Sequence, residues 1–379
     1  MKVCLICSQI AAWGKIGGFG TNTRLLGRGL ARAGLEVHVV VPRRPGQART
    51  EQLDGMTVHG QSVGEVFAGQ QLYRDIDADI FHAEEPTISA YWAQKARPDK
   101  IHLVTCMDPR DRRDWWIELC NATWPRRAKM PMQWIYEAGP LVRRAVSAAH
   151  GVYVEAEFLK AKARRLYALP RDPGLLPKPI EIPAGPFVKS ERPLCAFIGR
   201  LDPRKRPKMV LELARRMPEV RFVMVGQAHD AGYQRHLERL AAGTPNLELV
   251  GFVDPFVDDR LHRILDEAWM LIQPAAREGL PTAFQEASVR EVAIVAFVDP
   301  AGYVSRFGAV AEERRGVDGL ERAVRALIRS GAWHEKAKAG RRYNAEHHAL
   351  DVSVRRHLEV YREQQVHGGR GPEAWPQAC

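Results

Sequence analysis

Short apolar runs alternate with amphipathic helical stretches along almost the whole chain, and one proline-rich segment interrupts the alternation. Apolar runs at 2–7, 36–41, 79–83, 101–106 and 151–154 read as strands. Helical periodicity falls near 18–33, 87–96, 132–148 and 156–167, and Gly34 follows the first helix as a C-terminal stop. Strands separated by helices need crossover connections, so the pattern predicts a parallel, doubly wound sheet. Between 169 and 193 come Pro170, Pro173, Pro177, Pro179, Pro183, Pro186 and Pro193, which predict a linker.

The alternation then resumes. Strands are expected at 194–198, 220–226, 246–250, 269–273 and 293–298. Helices are expected at 206–216, 230–241, 257–267, 282–290, 318–330 and 333–345. A last helix, 350–365, places Val354, Leu358 and Tyr361 at helical spacing. A chain of 379 residues exceeds one ordinary core, so two domains follow. The expected boundaries are 1–185, 190–348, a final helix at 349–366, and a polar, Gly/Pro-rich disordered tail at 367–379.

Residues 278–286 hold two carboxylates, Glu278 and Glu286, with Gly279, Leu280, Pro281 and Thr282 between them. Pro281 suits the first position of a helix, where its missing N–H costs nothing. A helix start offers free N–H groups and a positive dipole end to an anion. Two flanking carboxylates accept from hydroxyls. A nucleotide-sugar carries both kinds of group, whereas the plain alternative is a surface turn with solvated glutamates. A second segment, Cys195 to Pro207, runs an apolar strand into Gly199 and then into Arg200 and Lys205. In open α/β sheets ligands bind outside the carboxyl ends of strands. There a guanidinium fork and a compact ammonium would neutralise a diphosphate.

Together these segments resemble the retaining glycosyltransferases of family 4, the glycosyl transferases of group 1. Gly199, Arg200 and Lys205 match one motif of that family. Glu278, Gly279, Leu280, Pro281 and Glu286 match a second. Gly17 and Gly18 before the first helix, and Leu30–Val40, resemble its N-terminal portion. The resemblance implies an α/β GT-B architecture: two Rossmann-like domains, with the chain's last helix crossing back onto the first. It implies sugar transfer from a UDP-, GDP- or other nucleoside-diphosphate sugar as co-substrate, with no cofactor, with retained anomeric configuration, and without a covalent nucleophile. Arg200 and Lys205 would neutralise the leaving diphosphate, with backbone N–H groups around 280–283. Glu286 would hold the ribose hydroxyls and Glu278 the donor sugar. Gly17 and Gly18 would approach the donor phosphate, since glycine lacks a Cβ.

The acceptor side departs from the family. Thr105-Cys106-Met107-Asp108 places Met107 where a His is common, and Asp108 is left to meet a hydroxyl. Glu84 stands where another His is frequent and is a second acceptor-side candidate, with His82 packed as structure. Arg290-Glu291-Val292-Ala293 replaces a Gly-containing turn, so that helix end must be built differently. An epimerase of the same architecture and a non-catalytic nucleotide-sugar-binding protein are the alternative readings.

Other features narrow the class. Asp75, Asp77 and Asp79 formally contain Asp-x-Asp pairs, but Asp79 leads into a strand. They are read as structural, and no metal is expected. Cys4 and Cys7 form a lone C-x-x-C pair, explained by burial on a strand. The longest apolar runs, such as Ala293–Val298, are far too short to span a bilayer, and Met1–Cys7 is too short for a signal peptide. The cytoplasm is therefore the expected compartment. The net charge of +11 comes with no nucleic-acid-binding motif, so nucleic acid is not an expected partner. Arg110, Arg112, Arg113, Arg126, Arg127, Lys129, Arg143 and Arg144 interleave with Trp115, Trp116, Trp124 and Trp134. Basic residues mixed with tryptophans suit peripheral contact with the inner face of an anionic membrane. The alternative is a surface whose tryptophans turn inward. The oligomeric state is not legible.

Overall fold

A computed structural model describes residues 1–14, 17–122 and 124–366. The expected disordered tail, 367–379, lies outside the described residues. These residues form two compact units. The first takes those within 1–119, 124–180 and 347–366, and the second those within 120–122 and 181–346.

The first unit opens with β1 (Lys2–Ile6), α1 (Gly18–Arg32), β2 (Glu36–Pro42), β3 (Thr50–Leu53) and β4 (Met56–Gln61). It continues with α2 (Val63–Ala68), α3 (Gln71–Ile76), β5 (Ile80–Ala83), α4 (Ile88–Ala96) and β6 (Ile101–Cys106). Next come α5 (Arg112–Asn121), α6 (Trp124–Ala138), α7 (Pro140–Ser147), β7 (Gly151–Val154), α8 (Lys160–Tyr167) and β8 (Gly174–Leu175). The strand order is β3-β4-β2-β1-β5-β6-β7-β8, parallel throughout except that β3 runs antiparallel to β4.

The second unit contains β9 (Leu194–Ile198), α9 (Pro207–Arg216), β10 (Arg221–Val225), α10 (Ala231–Ala242), β11 (Leu247–Gly251) and α11 (Arg260–Glu267). Then follow β12 (Met270–Gln273), α12 (Thr282–Ser288), β13 (Ala293–Ala296), α13 (Tyr303–Phe307), β14 (Gly308–Val310), α14 (Val317–Ser330) and α15 (Trp333–His347). Its order is β11-β10-β9-β12-β13-β14, all parallel. The last helix, α16 (Leu350–Val366), belongs to the first unit. Its Val354, Val360 and Tyr361 join the core formed by β1, β2 and α1. Both sheets are doubly wound: β1 and β9 each lie where the strand order reverses, the position at which such sheets bind ligands.

Several expected elements are corrected. The helix expected at 132–148 is two helices, α6 and α7, broken at Gly139 before Pro140, and α6 starts at Trp124. The proline-rich stretch is more than a linker, because Gly174–Leu175 pairs with β7 as the sheet's edge strand, a place where nearby prolines are tolerated. The β3–β4 hairpin was not expected. It turns at Asp54-Gly55, both with positive φ, which is a recognisable hairpin dipeptide. Among the described residues no helix is long and apolar enough to cross a membrane.

Candidate functional site

The second unit gathers the two motifs at one strand end. β9 runs straight into Gly199, whose φ is +149°. Gly226, at the end of neighbouring β10, has φ +142°, and a Cβ there would sit 1.9 Å from the Gly199 carbonyl oxygen. The two chains can approach so closely only with glycine at 226. Beyond Gly199, Asp202 caps a single tight turn, Pro203–Lys205, its carboxylate accepting from the Lys205 N–H at 3.1 Å. This turn aims the Lys205 side chain at the loop that follows β12. There its ammonium forms an ion pair with Glu278, and both side chains are mostly buried. The two loops are also joined through their backbones, with the Ala276 N–H donating to the Arg204 carbonyl at 3.0 Å. Arg200 stays half-exposed, its guanidinium 3.6 Å from Asp202 Oδ2.

Gly279, Leu280 and Pro281 lead from Glu278 into α12. Pro281 is the N-cap and not the first helical residue, and the helix starts at Thr282, the first residue of the expected range. Glu286 lies one turn further in. The helix closes without glycine. Glu291 adopts φ +55°, and the Val292 N–H reaches back to the Ala287 carbonyl at 3.0 Å. This is a Schellman-type close with a glutamate in the left-handed position.

Two neighbours were not singled out from sequence. Gln273 ends β12, is fully buried and donates to the Ile198 carbonyl at 3.1 Å, tying the two strand ends together. Its Oε1 has no hydrogen-bond partner among the described residues, nor has the amide of buried Gln285 or the hydroxyl of buried Thr282. Unpartnered buried polar atoms are costly, and these three residues sit at the strand end and helix start that carry the two motifs. A glutamine closing an otherwise apolar strand, Met270-Leu271-Ile272-Gln273, was the available signal.

The first unit has its own pocket at the carboxyl ends of β5 and β6. Glu85, Thr87, Asp108, Arg110, Trp115 and Glu137 line it, and Phe19 and Tyr167 close it. Arg110 is the hub: Nη1 donates to Glu137 at 2.7 Å, Nε lies 3.5 Å from Asp108, and the guanidinium sits 5.5 Å over the Trp115 ring. Glu85 accepts from the Ser8 N–H at 3.0 Å. Burial, with Glu137 nearby, raises its pKa to about 7.

Glu84, the candidate expected on this side, lies next to the pocket's lining residue Glu85. Glu84 is buried, accepts from Asn22 Nδ2 at 3.3 Å, and has its pKa raised to about 8 by burial. Glu85, not Glu84, lines the pocket. Met107 is also buried, and its sulfur accepts weakly from the same Asn22 at 3.6 Å. Gly17 is the extended N-cap of α1 and Gly18 its first residue.

His82, Glu84 and His357 bring three ligand-type atoms within 4.8 Å. Both ring nitrogens of His82 are already engaged, with Tyr361 Oη and Thr105 Oγ1, each at 2.8 Å. His357 Nδ1 faces the Ser353 carbonyl at 2.8 Å. The group is a packed polar seam between the sheet and α16. The Asp-x-Asp stretch is likewise engaged: Asp75 accepts from Gln71, Asp77 pairs with Lys100 and Arg97, and Asp79 accepts from the Lys2 N–H.

Two doubly wound units, with a basic loop and a Glu-bearing helix start meeting at the second switch point, define the GT-B class of glycosyltransferase. Residues 180–339 match the family described as glycosyl transferases group 1, and residues 17–176 match a glycosyl transferase 4-like domain. The chain belongs to the group 1 glycosyl transferases. It is 26% identical over 188 residues to a D-inositol 3-phosphate glycosyltransferase of Mycobacteroides abscessus. That match spans 47% of this chain and only 42% of the relative. Among solved structures it resembles a sucrose-phosphate synthase from Thermosynechococcus elongatus, with 15% identity and a TM-score of 0.74 over 97% of this chain and 99% of the other. It also resembles Anabaena HepE in complex with UDP-glucose, with 11% identity and a TM-score of 0.68 over 95% and 99%. At these identities the structural likeness establishes the fold.

Proposed function

We propose that this protein transfers a glycosyl group from a nucleotide-sugar to a hydroxyl of an acceptor, with retention at the anomeric carbon and without a metal. The bond from the anomeric carbon to the diphosphate oxygen breaks, and a bond to the acceptor oxygen forms. The acceptor's proton passes to the departing phosphate, and nucleoside diphosphate leaves. Lys205 and Arg200 neutralise that leaving group as charge develops, which is where electrostatic stabilisation is most effective. Backbone N–H groups of Leu280, Thr282 and Ala283 add to them. Glu286 holds the ribose hydroxyls, and Glu278 orients the donor sugar. Gly199 keeps the strand end open to the diphosphate.

On the acceptor side, Asp108 accepts from a hydroxyl, with Glu85 and Arg110 beside it. Carboxylates, a guanidinium and an indole lining one small pocket suit a polyhydroxylated ring. The Mycobacteroides relative is named for one such compound, and HepE was solved with a nucleotide-sugar.

The observation that carries this reading is the Lys205–Glu278 pair, which unites two motifs distant in sequence. Calorimetric titration with UDP-, GDP- and ADP-glucose, with and without EDTA, tests it. Binding of at least one of them, insensitive to EDTA and weakened about tenfold or more in Lys205→Ala, is expected. Failure of the intact protein to bind any of a broad nucleotide-sugar panel would falsify it.

A further inference from the structure

Helix α6 exposes much of its apolar surface. Its inward side is mixed: Tyr136 packs on the Val66, Ile88 and Val142 cluster, while Gln133 donates to Glu137 at 3.1 Å, Glu137 accepts from Arg110, and Arg126 pairs with Glu118 at 3.1 Å. None of its described side chains is fully buried. Its outward side is apolar. At about 100° per residue, Trp124, Ala128, Pro131 and Ile135 fall within a sector of about 60°, and all four are exposed. Met132 and Trp134 flank that sector. Trp124 is 81% exposed and Met132 60%. Neighbouring α5 adds Trp116, 65% exposed, and Leu119. A helix normally turns such residues to the core, so an outward apolar stripe of this size marks a surface that something covers.

The charges say what covers it. Arg112, Arg113, Arg127 and Lys129 are exposed on the same two helices. The acidic groups nearby are already used: Asp114 pairs with Lys162, Glu118 with Arg126 and Glu137 with Arg110. Both helices therefore present exposed tryptophans together with exposed cations. Tryptophan prefers the headgroup level of a bilayer, and basic residues are drawn to anionic lipid. We propose that α5 and α6 dock on the surface of an anionic phospholipid bilayer, with Trp116, Trp124 and Ile135 seated among the headgroups. The helices lie on the membrane and do not enter its core.

The experiment is co-sedimentation of the full chain with vesicles of phosphatidylcholine alone or enriched in phosphatidylglycerol. Binding to the anionic vesicles only is expected, weakened by high salt. The triple variant Trp116→Ser, Trp124→Ser, Ile135→Ser should weaken it by at least about tenfold. The double variant Arg112→Glu, Lys129→Glu should do the same. These positions are exposed, so circular dichroism and the melting temperature should stay at the parent values. Brominated lipid should quench tryptophan fluorescence in the parent and less in the triple variant. No binding to anionic vesicles, or binding that the triple variant leaves unchanged, overturns the proposal. So does self-association of the parent in sedimentation velocity that the same triple variant abolishes, which would assign the face to a second copy of the chain.

Discussion

Lys205 and Glu278 are ion-paired although 73 residues separate them. Each sits just beyond the carboxyl end of one of two adjacent parallel strands, β9 and β12. The pair holds the ammonium at the strand end where an incoming diphosphate would need it. A donor phosphate must share or take over that lysine, and the two partners can be separated experimentally. Lys205→Ala should weaken nucleoside-diphosphate binding by about 1.5–3 kcal/mol, the worth of a hydrogen bond to a charged group. Glu278→Gln should keep or tighten that binding, because the lysine is released, while turnover falls about 100-fold. Calorimetry with the diphosphate and steady-state rates with the sugar donor distinguish the two effects. Equal loss of diphosphate affinity in both variants would contradict the assigned division of labour.

Gly226→Ala tests the scaffold beneath the site. The new methyl would collide with the Gly199 carbonyl, and the backbone there adopts a φ that side chains rarely take. A loss of about 3 kcal/mol or more in unfolding free energy is expected, from strain and overpacking together. Urea titration measures it. A variant within about 0.5 kcal/mol of the parent would show that the β9 and β10 ends move apart freely.

Asp108→Asn and Arg110→Lys address the acceptor pocket. Both should reduce kcat/KM for the acceptor about tenfold or more, the cost of one or two misplaced hydrogen bonds. The donor KM and diphosphate affinity should not change. The check is a rate matrix in which donor and acceptor are varied independently. An effect confined to the donor would move the pocket's role to the other substrate.

Buried acids and buried histidines pull stability in opposite directions with pH. Burial raises Glu84 to about 8 and Glu85 and Glu155 to about 7, from an ordinary 4.5. The folded chain therefore holds protons that the unfolded chain has lost, and stability falls as pH rises from 4.5 to 8. Burial lowers His102, His348 and His357 to about 4, from an ordinary 6.5. There the unfolded chain holds the extra protons, and stability rises between pH 4 and 6.5. The two trends offset below 6.5, and only the acids act above it. Unfolding free energy should drop by about 2 kcal/mol between pH 6.5 and 8.5. Glu84→Gln should flatten that slope in urea titrations, and an unchanged slope would remove Glu84 as its source.

Much of the site was legible in the chain. The basic loop after β9 and the Glu-bearing segment around the α12 start are local patterns, and each sits where the strand alternation places it. Other features depended on direction as well as identity. Glu84 and Glu85 are adjacent acids in a loop, and nothing in their order says that the first turns into the Asn22–His82 seam while the second lines a pocket. The basic, tryptophan-rich stretch was visible as composition. Which way its tryptophans point was settled by packing: Trp115 turns in beside Arg110, whereas Trp116, Trp124 and Trp134 are exposed.

The sequence by itself determined two doubly wound halves, because the period of apolar residues dictates strand or helix and the alternation dictates crossovers. It also determined which residue types stand at the strand ends. Only the tertiary structure decided which of those ends are neighbours. β12 lies beside β9 because the connections through β10 and β11 wind to one side of β9 and those after β12 to the other. Backbone pairing between strands far apart in sequence, not any local preference, is what brings an ammonium and a carboxylate to one point.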